Sequence, residues 1–421
     1  MQIILDLGAS FLKGYVVEGQ LDNIVETFET PGLAKKQINL SDASFLDPFC
    51  LSVQRAVSRY PIESAVIAEE MHGFSSVGRR PRDSFFYSWR SRWDYVPMCR
   101  SFFESALEFE MLTGLRVRNG YGVWGLLDGA VGKKSVFGSA SSLLLQLLGQ
   151  WNQTSDLSML HSQGVISIDT RCFLDSIYPK FEYQLPTINR DPHLNPIGEL
   201  SLGARCIPVY GGIGDLIATL DGIFQTDVDS RLVVNSGTGS QIAIADVGQE
   251  SPVALCKKME HRLGNLRDYY VISHIPCGRA IEFFRRICVG LFPDKSESEF
   301  WEEFAKSEPR TVSELTDAFN VPSFSLGVFD SATLGVPGGL AAIVDSVRFE
   351  EYISGLKNSL VSQYSALIKT VIPQPNKLTF SGGIFQRNPD LASRILREID
   401  AETSGSFSDT SSPIFGLIGY G

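Results

Sequence analysis

The chain is 421 residues long, 43% hydrophobic and 20% charged, with a formal net charge of −11. That length exceeds what one hydrophobic core supports and predicts two domains of about 200 residues each. The acidic balance argues against a nucleic-acid partner, because phosphate contacts need clustered Lys and Arg, and no run approaches the ~18 apolar residues that span a bilayer.

The first element, Ile3–Val17, reads as strand, tight turn and strand, with Asp6, Gly8 and Ser10 at the tip and Lys13 on the returning strand. Asp6 and Lys13 also interrupt the apolar start, so no signal-peptide pattern forms there. Further on, Glu70, Met71 and His72 follow an apolar run. Taken alone, His72 reads as a packed core histidine. Trp89 and Arg90 stand in an aromatic, basic stretch, and Arg79, Arg80, Arg82, Arg90 and Arg92 form a local positive cluster. A solvated loop is the simpler account of that cluster, and contact with an anionic ligand is the other. Gly129–Ser135 imitates a phosphate loop, but Leu127 stands where its first Gly belongs and Lys134 replaces Ser or Thr. Leu143–Leu148 reads as a buried helix or strand piece.

The most informative segment is Val209–Gly222, a glycine-rich turn that ends in Asp215 and runs into an apolar helical pattern. A carboxylate at a helix N-terminus meets backbone N–H groups and the macrodipole, which favour its ionised form. Held at an open turn, it suits proton abstraction from a hydroxyl group. An ordinary Asp N-cap is the competing explanation. A domain boundary is expected at Asp221–Gln225, giving domains 1–222 and 223–421.

Leu232–Ala245 then repeats the strand–turn–strand unit, with Asn235, Gly237, Thr238, Gly239, Ser240 and Gln241 around its turn. Overlaid, Asp6 falls on Asn235 and Gly8 on Gly237, the mark of a duplicated domain. Two such hairpins offer backbone N–H groups and hydroxyls to a polyphosphate, with Lys13 adding a point charge and Asp6 holding Mg²⁺ through water. Ser307–Phe329 and Thr403–Pro413 are expected as loops, and the turn at Pro337 precedes an amphipathic stretch through Ile368. Leu378–Leu391 reads as a strand, the pair Gly382 and Gly383, and a helix with Asn388 as N-cap and Pro389 at its first position. Leu391, Ile395, Leu396 and Ile399 share one face of that helix, which is therefore core. The seven cysteines form no Cys-x-x-Cys pair and are expected as reduced, mostly buried thiols of a cytoplasmic protein. The five histidines lack metal-ligand spacing, and no Gly-x-Ser-x-Gly elbow occurs.

In this order the elements resemble the FGGY carbohydrate kinases. Asp6, Gly8 and Lys13 match their first phosphate loop, Gly212–Asp215 the turn with the catalytic base, and Asn235–Ser240 the second phosphate loop. Ser381–Gly383 with Asn388 is similar to their adenosine motif. Ala68–Gly73 resembles their Ser-Gly-Gln-Met-His-Gly segment, Tyr87–Arg92 occupies the place of their Trp-x-Asp-x-Arg, and Leu200–Val209 resembles the run into the catalytic turn. The matches span residues 1 to about 391 in the right order, and Gly214-Asp215-Leu216 followed by Asn235-Ser-x-Thr and Gln241 most resembles the sedoheptulokinases. Glu70 replaces the usual Gln, the Trp-x-Asp-x-Arg segment lacks its Asp, Gly239 stands where Ser is common, and the chain is short for the family. These departures bear on the sugar and leave the phosphate and base positions matched.

The resemblance implies an α/β, two-domain actin/Hsp70/hexokinase-like (ribonuclease H-like) fold, duplicated, with an inter-domain active-site cleft. It implies ATP-dependent phosphorylation of a ketose or polyol hydroxyl, with ATP and Mg²⁺ and with Asp215 and Asp6 as catalytic residues. Gly8, Ser10, Lys13, Gly237, Thr238, Gly239 and Ser240 would bind the phosphates. Gly382, Gly383, Phe385 and Asn388 would bind adenosine, and Glu70, Met71, His72, Trp89 and Arg90 the sugar. The partner is a small sugar, with no nucleic acid or membrane, and a homodimer is compatible with this reading. A non-catalytic nucleotide sensor or ATPase on the same fold is the alternative.

Overall fold

The computed structural model describes the chain except for residues 9, 20–22, 34–36, 40–45, 90–102, 119, 227–231, 238, 246–258, 265–266, 308–322, 326–338, 342–347, 372–376, 400–403 and 408–421. It divides into two compact units: Met1–Thr226 with His261–Tyr269 and Ser412–Gly421, and Asp227–Glu260 with Tyr270–Ser411.

The first unit is built on a seven-stranded sheet. Its strands are β1 (Gln2–Leu7), β2 (Phe11–Val17), β3 (Ile24–Pro31), β4 (Ser64–Glu69), β5 (Gly149–Trp151), β6 (Gly198–Leu202) and β7 (Arg205–Gly214). They lie in the order β3-β2-β1-β4-β7-β6-β5. β4 is parallel to both β1 and β7 and is nearly continuously apolar (Ala65–Ala68), as a strand covered on both faces must be. The helices Asp47–Arg59 and Ala140–Leu148 supply that cover, with Phe49, Val53, Leu144 and Leu145 among the sheet's buried partners. A second apolar cluster gathers around Trp124, Phe109 and Tyr121.

The second unit repeats the pattern. Its strands β8 (Leu232–Ser236), β9 (Gly239–Ala245), β10 (Tyr269–Pro276), β11 (Lys377–Ser381) and β12 (Ser404–Phe407) run in the order β10-β9-β8-β11-β12, with Glu260–Arg262 outside β10. In each unit the first strand of the hairpin pairs antiparallel with the second and parallel with a later strand. The 23-residue helix Phe349–Val371 packs its apolar face into the core with Leu391, Ile395 and Ile399 of the helix Pro389–Ile399.

Four expectations need correction. Ser323–Ser325, inside the stretch Ser307–Phe329 expected as loop, is a strand paired antiparallel with Gly339–Ala341, while the turn expected at Pro337 lies outside the described residues. β12 stands within the other stretch expected as loop, held by parallel pairing to β11. Cys172 and Cys206 are exposed, while Cys277 and Cys288 are buried, so the described cysteines are not mostly interior. Asn388 does not cap the helix after it. Its Nδ2 donates back to Ile384 O at 2.9 Å, closing the short helix Gly383–Arg387 instead. Among the described residues, no helix is long and apolar enough to cross a membrane.

Candidate active site

Asp6 lies near the end of β1, opposite Lys13 on β2, and Asp215 opens the helix Asp215–Thr226 directly after β7. β4 separates the two strands, and the register aligns Leu7, Glu69 and Gly214 across all three. Both carboxylates therefore leave the same end of one sheet. β7 reaches that point through a bulge, its register to β4 shifting between Gly211 and Ile213. Gly211 and Gly212 hold φ of +85° and +70°, and a Cβ on Gly211 would lie 2.6 Å from Ile67 O. Only glycine fits there.

Asp215 Oδ1 accepts the Leu216 N–H at 2.7 Å, and Thr219 Oγ1 donates to Asp215 O at 2.8 Å. Burial pushes the Asp215 carboxyl up to about 6 against the lowering effect of the Leu216 N–H. Asp6 is pushed up to about 7, first by burial and then by the charge of Asp215, with Lys13 opposing. The pair titrates as a unit: once Asp215 has lost its proton, its charge disfavours the second ionisation. Lys13 Nζ is 3.6 Å from the Glu29 carboxylate. The hairpin tip is pinned by Gly32 N–H donating to Ser10 O at 2.9 Å and by Leu33 N–H donating to Gly8 O at 3.2 Å, while Ser10 stays exposed.

The Glu70–His72 segment runs beside these acids. Glu70 is buried and its N–H donates to Leu7 O at 3.0 Å. Met71 is buried against Gly214, where a Cβ would lie 2.7 Å from Met71 Cγ. His72 holds an uncommon φ of +72°, and its Nδ1 is 2.7 Å from Ser162 O, so that nitrogen carries the proton. Its ring centroid is 4.9 Å from that of Tyr121. Trp89 is half-buried, with its carbonyl close against Gly120. Arg90 and Arg92 lie outside the described residues. Arg79, Arg80 and Arg82 are exposed, and Arg80 pairs with Asp83 at 2.8 Å, as in a solvated turn.

Three further acids of this unit carried no reading in the sequence. Glu69 accepts from Ser139 Oγ at 2.7 Å, Ser141 N at 2.7 Å and Ser141 Oγ at 3.0 Å. Asp156 caps the helix Leu157–Ser162 through Ser158 N at 2.9 Å and Met159 N at 3.2 Å. Asp221 accepts from the Tyr269 hydroxyl. Burial pushes each of the three up to about 7. The available signals were an acid inside an apolar helix, for Asp221, and a Glu-Glu pair closing an apolar strand, for Glu69.

In the second unit, Asn235 faces Gln241 across the hairpin, Nδ2 to Oε1 at 3.2 Å, and Ser240 Oγ donates to Asn235 O at 2.6 Å. Gly237 N–H donates to Gly239 O at 2.8 Å, and the helix Gly278–Leu291 starts against this turn, Gly278 N to Gly237 O at 3.2 Å. Gly382 has φ +96°, and a Cβ on it would lie 2.0 Å from Ser236 O, so this glycine is pressed onto the hairpin. Gly383 has open space where a side chain would stand. Thr238 lies outside the described residues. Phe385 corrects an expectation. Its ring is core, 4.9 Å from Phe380 and 5.7 Å from Tyr364, and offers no face to a nucleotide.

Among the described residues no group of three His, Cys, Asp or Glu side chains is placed to hold a metal ion. A magnesium held mainly by phosphates and water needs only one or two carboxylates, and the donor set at Asp6 fits that use.

No protein-family model and no curated protein matches the chain. Solved structures do. A ligand-bound xylulose kinase from Lactobacillus acidophilus superposes with a TM-score of 0.75 at 13% identity, covering 99% of this chain and 88% of that one. A gluconate kinase from Lactobacillus acidophilus gives 0.72 at 14% identity, covering 100% and 88%. Plasmodium falciparum glycerol kinase with ADP gives 0.71 at 14% identity, covering 100% and 89%. At such identities the likeness establishes the fold, an α/β, two-domain architecture of the sugar-kinase type, and fold does not itself assign chemistry.

Proposed function

We propose that the protein transfers the terminal phosphoryl group of ATP to a hydroxyl of a sugar or polyol. The observation that carries this reading is the pair Asp6 and Asp215, brought to one end of the sheet on either side of β4, in a fold shared with xylulose, gluconate and glycerol kinases. Asp215 takes the hydroxyl proton as the oxygen attacks phosphorus. With its carboxyl pushed only to about 6, it is mostly ionised at neutral pH and still basic enough to accept a proton. Asp6 would hold Mg²⁺ through water; when bound, the ion supplies positive charge to the phosphoryl oxygens.

The remaining assignments follow the same division. Gly8, Ser10 and Lys13 in the first unit, and Gly237, Thr238, Gly239 and Ser240 in the second, would contact phosphates. The open backbone of Gly383 beside Gly382 and Asn388 would take the adenosine, without Phe385. Glu70, Met71, His72, Trp89 and Arg90 would face the acceptor. Sedoheptulose stays among the candidate acceptors on the sequence resemblance of Gly214–Leu216, Asn235–Thr238 and Gln241 alone. The direct test is ADP release across ketoses, including sedoheptulose, polyols and aldoses, with no-acceptor controls. Acceptor-dependent release is expected. Release that no acceptor raises above the control rejects phosphotransfer in favour of a sensor or plain ATPase.

A further inference from the structure

Glu69 is a fully buried acid of the first unit that the phosphotransfer reading leaves without a role. It is 0% exposed, it stands on the central strand β4 at the level where β1 and β7 deliver Asp6 and Asp215, and no described basic side chain is paired with it. A buried carboxylate without a cation is costly unless hydrogen bonds replace its water. Those bonds all come from one distant place, the start of the helix Ala140–Leu148: Ser139 Oγ at 2.7 Å, Ser141 N at 2.7 Å and Ser141 Oγ at 3.0 Å. A helix N-terminus is where backbone N–H groups and the macrodipole best tolerate such a charge.

The network also has a second neighbour. Gly212, half of the left-handed pair that forms the bulge in β7, turns its bare Cα toward it. A Cβ there would lie 3.2 Å from Ser141 Oγ and 3.5 Å from Glu69 Oε1. The bulge is therefore seated on the clasp between Glu69 and the helix start. Two residues beyond the seat the strand ends at Gly214, and Asp215 begins its helix.

We infer that Glu69, clasped by Ser139 and Ser141, is a positioning residue that seats the β7 bulge and thereby sets the aim of Asp215. This rests on the phosphotransfer reading. The clasp needs acceptors more than charge. A Gln side chain keeps one carbonyl for the Ser141 N–H, and its amino group can donate to the two serine hydroxyls once these rotate. A Met side chain of similar length makes none of these bonds.

The test compares Glu69→Met with Glu69→Gln, and with Leu145→Ala, which opens a core cavity in the same helix one turn beyond Ser141 and removes no polar group. Glu69→Met is expected to lower kcat by about 10-fold to 100-fold, the scale on which small misplacements of reacting groups act, with the KM for ATP nearly unchanged. Glu69→Gln should recover most of that loss, and Leu145→Ala should lower the melting midpoint while keeping kcat. Amide exchange at Gly211–Leu216 should quicken in Glu69→Met only. A kcat loss shared equally by Met and Gln, or by Leu145→Ala, overturns the positioning role, as does an undiminished kcat in Glu69→Met. If Glu69→Met does not fold, the double variant Ser139→Ala and Ser141→Ala removes both hydroxyl donors and must show the same split. If the wild type phosphorylates no acceptor, the phosphotransfer reading fails on its own, and unchanged exchange at Gly211–Leu216 then rejects the clasp separately.

Discussion

Asp215 is under two opposing influences: its place at a helix start favours the carboxylate, and burial favours the acid. Burial prevails, raising the group to about 6, so the carboxyl is a stronger base than an exposed aspartate. Asp215→Asn keeps the shape and removes the base. It should lower kcat by at least about 10²-fold, the usual share of general-base assistance, with ATP binding nearly unchanged; near wild-type turnover would refute the assignment. The base works deprotonated, so kcat/KM should fall as pH drops through about 6, which a pH–rate profile reads directly. Gly382 makes a residue-scale prediction in the second unit. Its φ of +96° and the 2.0 Å approach to Ser236 O leave no room for a Cβ. Gly382→Ala should destabilise the fold by about 1–3 kcal/mol from backbone strain alone, measured by denaturant unfolding, and should weaken ATP binding.

The bulge in β7 is the element on which the site's geometry turns. Without it, β7 would continue in register with β4 and present a different face at its end. Gly211→Ala adds a Cβ 2.6 Å from Ile67 O at a φ of +85°. It should lower kcat more than it raises the KM for ATP, because it disturbs the strand that carries Asp215 and leaves the second unit untouched. Equal effects on both constants would count against a local role. The paired hairpins were legible as elements because strand, glycine turn and strand are written within about fifteen residues. The short helix Gly383–Arg387 was not. Its Asn388 closes the preceding turn through Ile384 O, and a cap sequence is ambiguous about which helix it serves.

At the scale of the whole chain, five carboxyls of the first unit are raised: Asp6, Glu69, Asp156 and Asp221 to about 7 and Asp215 to about 6. Each binds its proton more tightly folded than unfolded, so its contribution is present below the unfolded value and is lost as pH rises through the folded one. His161 acts oppositely. Burial lowers it to about 3, so its contribution is lost as pH falls below the ordinary imidazole range. Five groups outweigh one. The melting midpoint should therefore fall between about pH 5 and pH 8, and Asp221→Asn should flatten that fall by at least ~2 °C; a midpoint that rises over this range contradicts the reading.

The repeated hairpins, Asp215 at the start of an apolar helix, and the core face of Leu391, Ile395 and Ile399 could all be read from the residue order, because turn chemistry and helical period act over a few neighbouring residues. That Asp6 and Asp215 share one sheet end, that Glu69 is clasped by Ser139 and Ser141, and that Phe385 is core emerge from the packed chain alone. Partners that lie 70 or more positions apart, and the burial that sets a carboxyl's proton affinity, exist only once the strands have paired.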